Sequence, residues 1–499
     1  MGAVEFVALL LAGIGPLLAL SHLLGVPATV VLFGTGLAVG FLPGDVPVKV
    51  DPDLAIWLFL PPVIYAAAVR ITPHLLRHAL LPGVAVGGGL ALATVLGVAA
   101  AVHFLLLPGL PPAAALVLGV VAALFDTRLF QEVKGVPRVP RALADALKAR
   151  EMASRVVALT ALAIIASSVR EGAPPGIGEG ALHVAWALLG GSAVGLGIGR
   201  AVLWLRDRAG PAPVEIAVSL ATPYLGALAA RSLGLSLAVT VIAAALAVSA
   251  ARVDTRTGEA RSSAEARISG MAFWEEASLL VSSILFLLAG LAVPDALGDL
   301  GGWSPATAVA AAAGILLLVL LLSWLGSALS TRLPPVREAL AGEDTAGRAA
   351  AAGVMAWAST RSVLGLVVVL SVPTAWPDGT PVVERGLLLV VAALVVLGSV
   401  GVQGFTLRRA IRAAALQGSG DAKGEEARAR GAATEARERA TGEDDAHSEG
   451  IAAERRVLVE MREGDEIGDE TLHNLLREGD LRKRAAEGDA EPGAAPPRP

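Results

Sequence analysis

Uncharged apolar runs of about 18–26 residues recur from Ala3 to Leu407 of this 499-residue chain. A helix rises 1.5 Å per residue, so each run is long enough to cross a hydrocarbon layer ~30 Å thick. In lipid a backbone without water must satisfy its own polar groups, and the spacing therefore predicts helices rather than strands. Thirteen spans are predicted, over 3–23, 26–43, 53–69, 80–106, 111–131, 146–168, 180–205, 213–231, 234–251, 271–292, 304–329, 350–372 and 385–407. The first is not a secretory signal, because it lacks a basic leader, carries Glu5 and runs straight into a second apolar segment.

Charge is distributed to match. Of the 85 Asp, Glu, Lys and Arg, 37 follow Phe405. The preceding residues are about 12% charged, against ~25% in a soluble domain, which excludes a soluble α/β enzyme and a disordered chain. With no Cys there is no disulfide framework, thiolate nucleophile or iron–sulfur ligation. The net charge of −5, without a basic stripe, argues against a nucleic-acid partner. No nucleophile–base pair or metal-ligand cluster stands out, so neither an enzyme nor a cofactor or metal site is expected.

The loops set an orientation. Sixteen Lys and Arg fall in odd-numbered loops, among them Arg70, Arg77, Lys134, Arg138, Arg206, Arg252 and Arg337. Only Lys49, Arg170, Arg231 and Arg385 fall in even ones. Basic loops stay in the cytoplasm, so the N-terminus is predicted outside and the C-terminus inside the cell membrane. Residues 1–410 are read as the membrane domain and 411–450 as a flexible linker, its 417–450 stretch solvated and without apolar period. Residues 451–499 are read as a charged cytoplasmic tail with two amphipathic helices broken at Gly464 and Gly468, solvated His447 and His473, and a frayed end over Pro492–Pro499.

Ionisable groups within spans are costly, and each marks a candidate functional position. Asp126 lies near the end of the fifth span, where an unwound stretch over Phe125–Arg128 would expose ion-coordinating groups at membrane depth; an interfacial pair with Arg128 is the plainer account. In the sixth span Glu151 and Arg155 are one turn apart and can pair on one face. Arg361, about a dozen residues into the twelfth span, needs a carboxylate or carbonyl partner, and Glu151 is the expected one. Glu215, Glu275 and Glu276 read as interfacial, His103 and His183 as interface anchors, and Gly195 with Gly199 as a close helix contact.

Several segments together resemble the monovalent cation:proton antiporters of the first class, the sodium/proton exchangers. Leu58–Ala68 is similar to that family's third-span motif. Phe125, Asp126 and Thr127, followed by Gly135–Pro140, resemble its Thr-Asp-Pro helix crossover. Trp357–Ser362 resembles a Gly-Met-Arg-Gly signature, and Val402–Leu407 the end of the last span. Ala272–Glu275, Pro223–Tyr224 and the tail segment Met461–Leu481 fit in order. The resemblance implies inverted repeats, a core of crossed broken helices, a homodimer in membrane lipid, and exchange of sodium or potassium for protons in pH homeostasis.

The departures fall on the ion site. In register with the family's Gly-Glu-Ser … Asn-Asp motif stand Ala149, Arg150, Glu151, Ser154 and Arg155, so a guanidinium replaces the essential Asp. Ala66 stands for the third-span Glu and Phe125 for the crossover Thr. Asp126, Glu151, Ser154 and Arg155 remain the candidate ion site, with Arg155 expected to pair with Asp126 or turn to Glu151. Two main classes of function stay open, a cation/proton exchanger with a relocated site and a transporter-shaped sensor or regulatory protein. A third, less favoured reading is an exporter of an anion drawn by Arg150 and Arg155.

The chain's lack of Cys makes the orientation directly testable. A single Cys introduced between Arg252 and Arg267 should react with an impermeant maleimide only in inverted vesicles, and labelling of intact cells would reverse the assignment.

Overall fold

The computed structural model describes residues 3–42, 55–71, 80–127, 141–171, 177–209, 212–250, 264–333, 336–337, 340, 345–373, 382–414, 422–440, 446–464 and 466–490. The expected Arg128 pairing, the Gly135–Pro140 stretch, the Arg252 loop and the frayed end lie outside these residues.

Among the described residues, each predicted apolar run lies wholly or in part on helix. The chain begins with α1 (Ala3–Leu24) and α2 (Ala28–Gly40), turning between them at Gly25, whose φ of 64° suits glycine. A π turn over Ala55–Phe59 leads into α3 (Leu60–Ala68), which carries Pro61 and Pro62 where a helix can spare N–H donors. Next come α4 (Leu80–Ala101), extended by a π turn, and α5 (Pro112–Ala123), then the two-residue strand β1 (Phe125–Asp126). The long α6 (Arg141–Glu171) is followed by α7 (Ile177–Ala185), α8 (Gly191–Ala209), α9 (Ala212–Leu233), α10 (Leu237–Ala250), α11 (Ala264–Gly298) and α12 (Pro305–Ser330). Then come α13 (Thr345–Trp357), β2 (Thr360–Arg361), α14 (Val363–Leu370) and α15 (Arg385–Ala414).

Among the described residues, seven helical stretches are long and apolar enough to cross a membrane, and five more are apolar but shorter. The fifth run, expected over 111–131, stops being helical after Ala123, where an unwound stretch was anticipated. The twelfth, expected as one helix over 350–372, is two helices separated by an extended segment. At 1.5 Å per residue, α5, α13 and α14 reach about 18, 20 and 12 Å, so none alone spans the hydrocarbon.

The core is Val, Leu, Ala and Ile from α3, α5, α10, α12, α14 and α15, and every residue of α14 is buried. Leu182, Trp186 and Leu189 point outward, as a lipid-facing surface requires. Small residues draw α8 against α10: a Cβ on Gly195 would sit 2.8 Å from the Ala243 Cβ, and one on Gly199 2.7 Å from the Ala244 carbonyl. The close contact expected of Gly195 and Gly199 is present. Glu215, expected at an interface, is buried and paired with Arg206 at 3.1 Å. The ring of His103 hydrogen-bonds the Leu110 carbonyl at 2.7 Å.

The tail corrects one expectation. Residues 422–440, within the stretch read as a flexible solvated linker, form helix α16 (Ala422–Ala440), followed by α17 (Ala446–Glu463) and α18 (Asp469–Ala490). The cluster they build uses Ala429 and Ala433 with Leu458, Ile467, Leu472 and Leu475. Alanines make a thin apolar stripe that a search for large apolar residues passes over. Arg430 forks onto Glu478 at 2.7 Å and meets Glu426 at 2.9 Å, and these bonds raise its pKa above the ordinary arginine value. Arg462, buried on α17, pairs with Asp145 on α6 at 3.2 Å, tying the tail to the helix that carries Glu151.

Gly195→Leu should force α8 off α10 and destabilise the domain by about 1–3 kcal/mol, the usual range for overpacking. Thermal unfolding in detergent checks it, and a midpoint equal to wild type would show that the contact is dispensable.

Candidate functional site

The two chain breaks meet. β1 and β2 pair antiparallel, Phe125 opposite Arg361 and Asp126 opposite Thr360. Around this ladder the Ser362 N–H donates to the Leu124 carbonyl at 3.1 Å and Thr360 Oγ1 donates to the Asp126 carbonyl at 3.0 Å. Backbone that leaves a helix at membrane depth needs partners, and each break supplies the other's. Ser362 caps α14, accepting from the Leu364 N–H at 3.3 Å.

Arg361 closes the arrangement. Its Nη1 donates to the Ala122 carbonyl and its Nη2 to the Ser359 carbonyl at 2.6 Å. These are carbonyls at the C-terminal ends of helices, where a cation also meets the favourable end of the dipole. The Arg361 N–H donates to Ser399 Oγ at 2.9 Å, Ser399 donates to Gln403 Oε1, and Gln403 Nε2 donates to the Trp357 carbonyl at 3.1 Å. The expected bridge from Arg361 to Glu151 is therefore corrected: carbonyls hold Arg361. Glu151 is engaged elsewhere, by Arg155 and Thr127.

Helix α6 passes this crossover with Arg150, Glu151, Ser154 and Arg155 all buried. Glu151 pairs with Arg155 one turn on and accepts a 2.7 Å hydrogen bond from Thr127 Oγ1. The same Arg155 Nη2 lies 3.6 Å from Asp126 Oδ2, so one guanidinium contacts both carboxylates and both expected pairings are present. Ser154, a candidate ligand, donates to the Ala123 carbonyl at 2.6 Å and so fastens α6 to the broken end of α5. Phe125 carries no polar group; its ring lies 5.8 Å from the Arg150 guanidinium carbon and 5.5 Å from that of Arg361. Arg150 Nη1 donates to Ser327 Oγ on α12 at 2.8 Å.

Sequence reasoning missed Ser327, Ser359, Ser399 and the carbonyls of Ala122 and Ala123. Main-chain acceptors carry no residue code. Ser399 and Gln403, four apart on α15, are a polar pair in an otherwise apolar run and could have been singled out.

A helical membrane protein with paired helix breaks around buried charges is built as a secondary transporter. The comparisons agree. Residues 6–413 match the family described as sodium/hydrogen exchanger, transmembrane, and the chain belongs to it. An uncharacterized Na(+)/H(+) exchanger of Mycobacterium tuberculosis is 30% identical over 425 residues, 82% of this chain and 74% of that one. The Na(+)/H(+) antiporter NhaS2 of Synechocystis is 29% identical over 279 residues, 54% of this chain and 48% of its own. In fold the chain is similar to the sodium proton antiporter MjNhaP1 of Methanocaldococcus jannaschii, with a TM-score of 0.60 at 14% identity, over 82% of this chain and 97% of that one.

Arg361→Ala would leave the Ala122 and Ser359 carbonyls without their charged donor and should cost about 3 kcal/mol, since hydrogen bonds to charged groups contribute ~1.5–3 each. Thermal unfolding of the purified variant measures this, and an unchanged midpoint would show that the crossover holds without the guanidinium.

Proposed function

We propose that the chain is a secondary active transporter exchanging a monovalent cation, sodium or potassium, for protons. It works as a homodimer in the cell membrane with its N-terminus outside and its tail in the cytoplasm. The observation that carries this reading is the unequal hold of Arg155 on its two carboxylates. Glu151 is gripped by Arg155 and by Thr127. Asp126 stands 3.6 Å from the guanidinium, beyond hydrogen-bond length, and its side chain is 15% exposed against 8% for Glu151.

Coulomb attraction weakens with distance and with access of water, so a competing cation displaces the guanidinium more easily from Asp126 than from Glu151. Arg155 stays charged throughout, and its pairing with Glu151 needs no proton. Asp126 then alternates between states. Protonated, it gives up its hold on both Arg155 and the cation; ionised, it binds one of them. A proton lost on one side is thus exchanged for a cation bound there, and the paired breaks let the same carboxylate face either side. Thr127 and Ser154 hold Glu151 and the end of α5 in place around it.

The shorter contact between Arg155 and Glu151, with a guanidinium standing where the family has an essential Asp, favours one other reading. In that case Arg155 is a tethered cation that fills the site for good, and the protein serves as a sensor or regulatory membrane protein.

Reconstituted vesicles under a pH gradient separate the two. Addition of sodium or potassium should move protons with the wild type, and Asp126→Asn should abolish that movement at nearly unchanged unfolding temperature. A wild type inactive with both cations from mildly acidic to alkaline pH would sink the exchange reading. If Arg155→Asp then gained exchange, the tethered-cation reading would take its place.

A further inference from the structure

Helix α8 has two unlike faces. Gly191, Gly195 and Gly199 lie one turn apart against α10, and the same side continues through buried Val202 to Arg206, which is tied to Glu215 of α9. On the opposite side Arg200, Trp204 and Arg208 recur every four residues, and all three are exposed. The Arg208 guanidinium folds back over Trp204, its carbon 4.1 Å from the ring centre, and its Nη1 donates to the Trp204 carbonyl at 3.0 Å. Arg200 makes no hydrogen bond or ion pair among the described residues. Asp207 shares this side but stands two turns beyond Arg200 and forms no pair with it.

The depth of Arg200 gives this stripe its meaning. The stretch Gly178–Arg208 is the least buried of the seven spans, with 11% of its apolar window inside the protein against 33–67% for the others. Trp186 and Trp204, both exposed, are separated along it by about 27 Å at the helical rise, close to the ~30 Å of a hydrocarbon layer. Tryptophans settle at the two membrane surfaces, so Arg208 lies among headgroups and Arg200 one turn inside the hydrocarbon. A guanidinium stays charged there, and acyl chains offer it no partner.

We infer that the Arg200–Trp204–Arg208 face of α8 binds the headgroup of an anionic phospholipid. Arg200 draws the lipid phosphate toward the ring of Trp204, and a planar guanidinium suits a phosphodiester because it can donate two parallel bonds. Arg208, turned back over that ring, adds positive charge from the water side. Leu196, one turn before Arg200 on the same side and exposed, offers the acyl chain an apolar track. A second copy of the chain is a poorer occupant. A two-fold axis normal to the membrane brings residues of equal depth together and would set Arg200 against its own counterpart. The face lies away from the crossover, so its lipid does not depend on cation exchange.

Native mass spectrometry of the purified full-length protein tests this, with phosphatidylglycerol or phosphatidylcholine titrated into the same detergent. The wild type should retain phosphatidylglycerol at several-fold lower lipid than phosphatidylcholine. Arg200→Leu, which breaks no contact among the described residues, should raise half-saturation by phosphatidylglycerol several-fold. Arg332→Leu, at an exposed arginine just past the end of α12, should leave it unchanged and so separates a site from diffuse attraction. Equal retention of the two lipids by the wild type, or an Arg200→Leu titration that matches it, would overturn the site. Displacement of the lipid by inorganic phosphate at matching concentration would also overturn it, in favour of a free anion. Loss of the dimer in Arg200→Leu at an unchanged unfolding temperature would overturn it too, and give the face to a second copy.

Discussion

Phe125 and Asp126 lie beside Arg361 and Thr360 in a two-residue ladder at the heart of a helical membrane domain, and much of the site depends on that pairing. A chain that unwinds within hydrocarbon exposes N–H and C=O groups that nothing in lipid can satisfy. Two unwound stretches from distant parts of the sequence meet this demand mutually, with the Arg361 guanidinium and the Ser362 N–H serving the carbonyls left at the end of α5. The pairing also brings Asp126 to the flank of α6. Without it, Asp126 and Arg155 would have no reason to meet.

Arginine is what sets this core apart. Arg361 is a structural cation, needed by helix ends and satisfied by carbonyls. Arg155 is an internal counter-ion, in contact with both Asp126 and Glu151. Arg150 is buried beside them and donates to the Ser327 hydroxyl at 2.8 Å. The Arg150 and Arg361 guanidiniums both lie over one aromatic ring, that of Phe125. Burial of a charge is tolerated only when something pairs with it or solvates it. Among the described residues, the electrostatics of this core follow from how five charges are shared between one helix, α6, and two chain breaks.

The tail adds a mechanical link. Its helices form their own small core, and Arg462 reaches Asp145, about two turns before Glu151 on α6. The cytoplasmic helices are thereby fastened to the element that carries most of the buried charges.

The sequence by itself determined the membrane domain, its helical segments and the positions of its buried ionisable groups, because hydrophobic run length and the cost of charge in lipid are local properties of the chain. The pairing of Glu151 with Arg155 was legible for the same reason, since residues four apart share a helix face. The break near Asp126 could be anticipated from an ionisable residue at the end of an apolar run, a position that is costly inside a helix in lipid. The break at Ala358–Ser362 was not, for no Gly or Pro marks it, and Ser-Thr-Arg-Ser reads as well inside a helix as outside one. The tertiary structure alone decided which groups satisfy Arg361, because main-chain carbonyls look alike in every sequence. It also decided that α16 is helical and packed, because Ala429 and Ala433 gain apolar character only when α17 and α18 cover them. Long-range partners are set by the geometry of the crossover, and that geometry exists only once both breaks have formed and found each other.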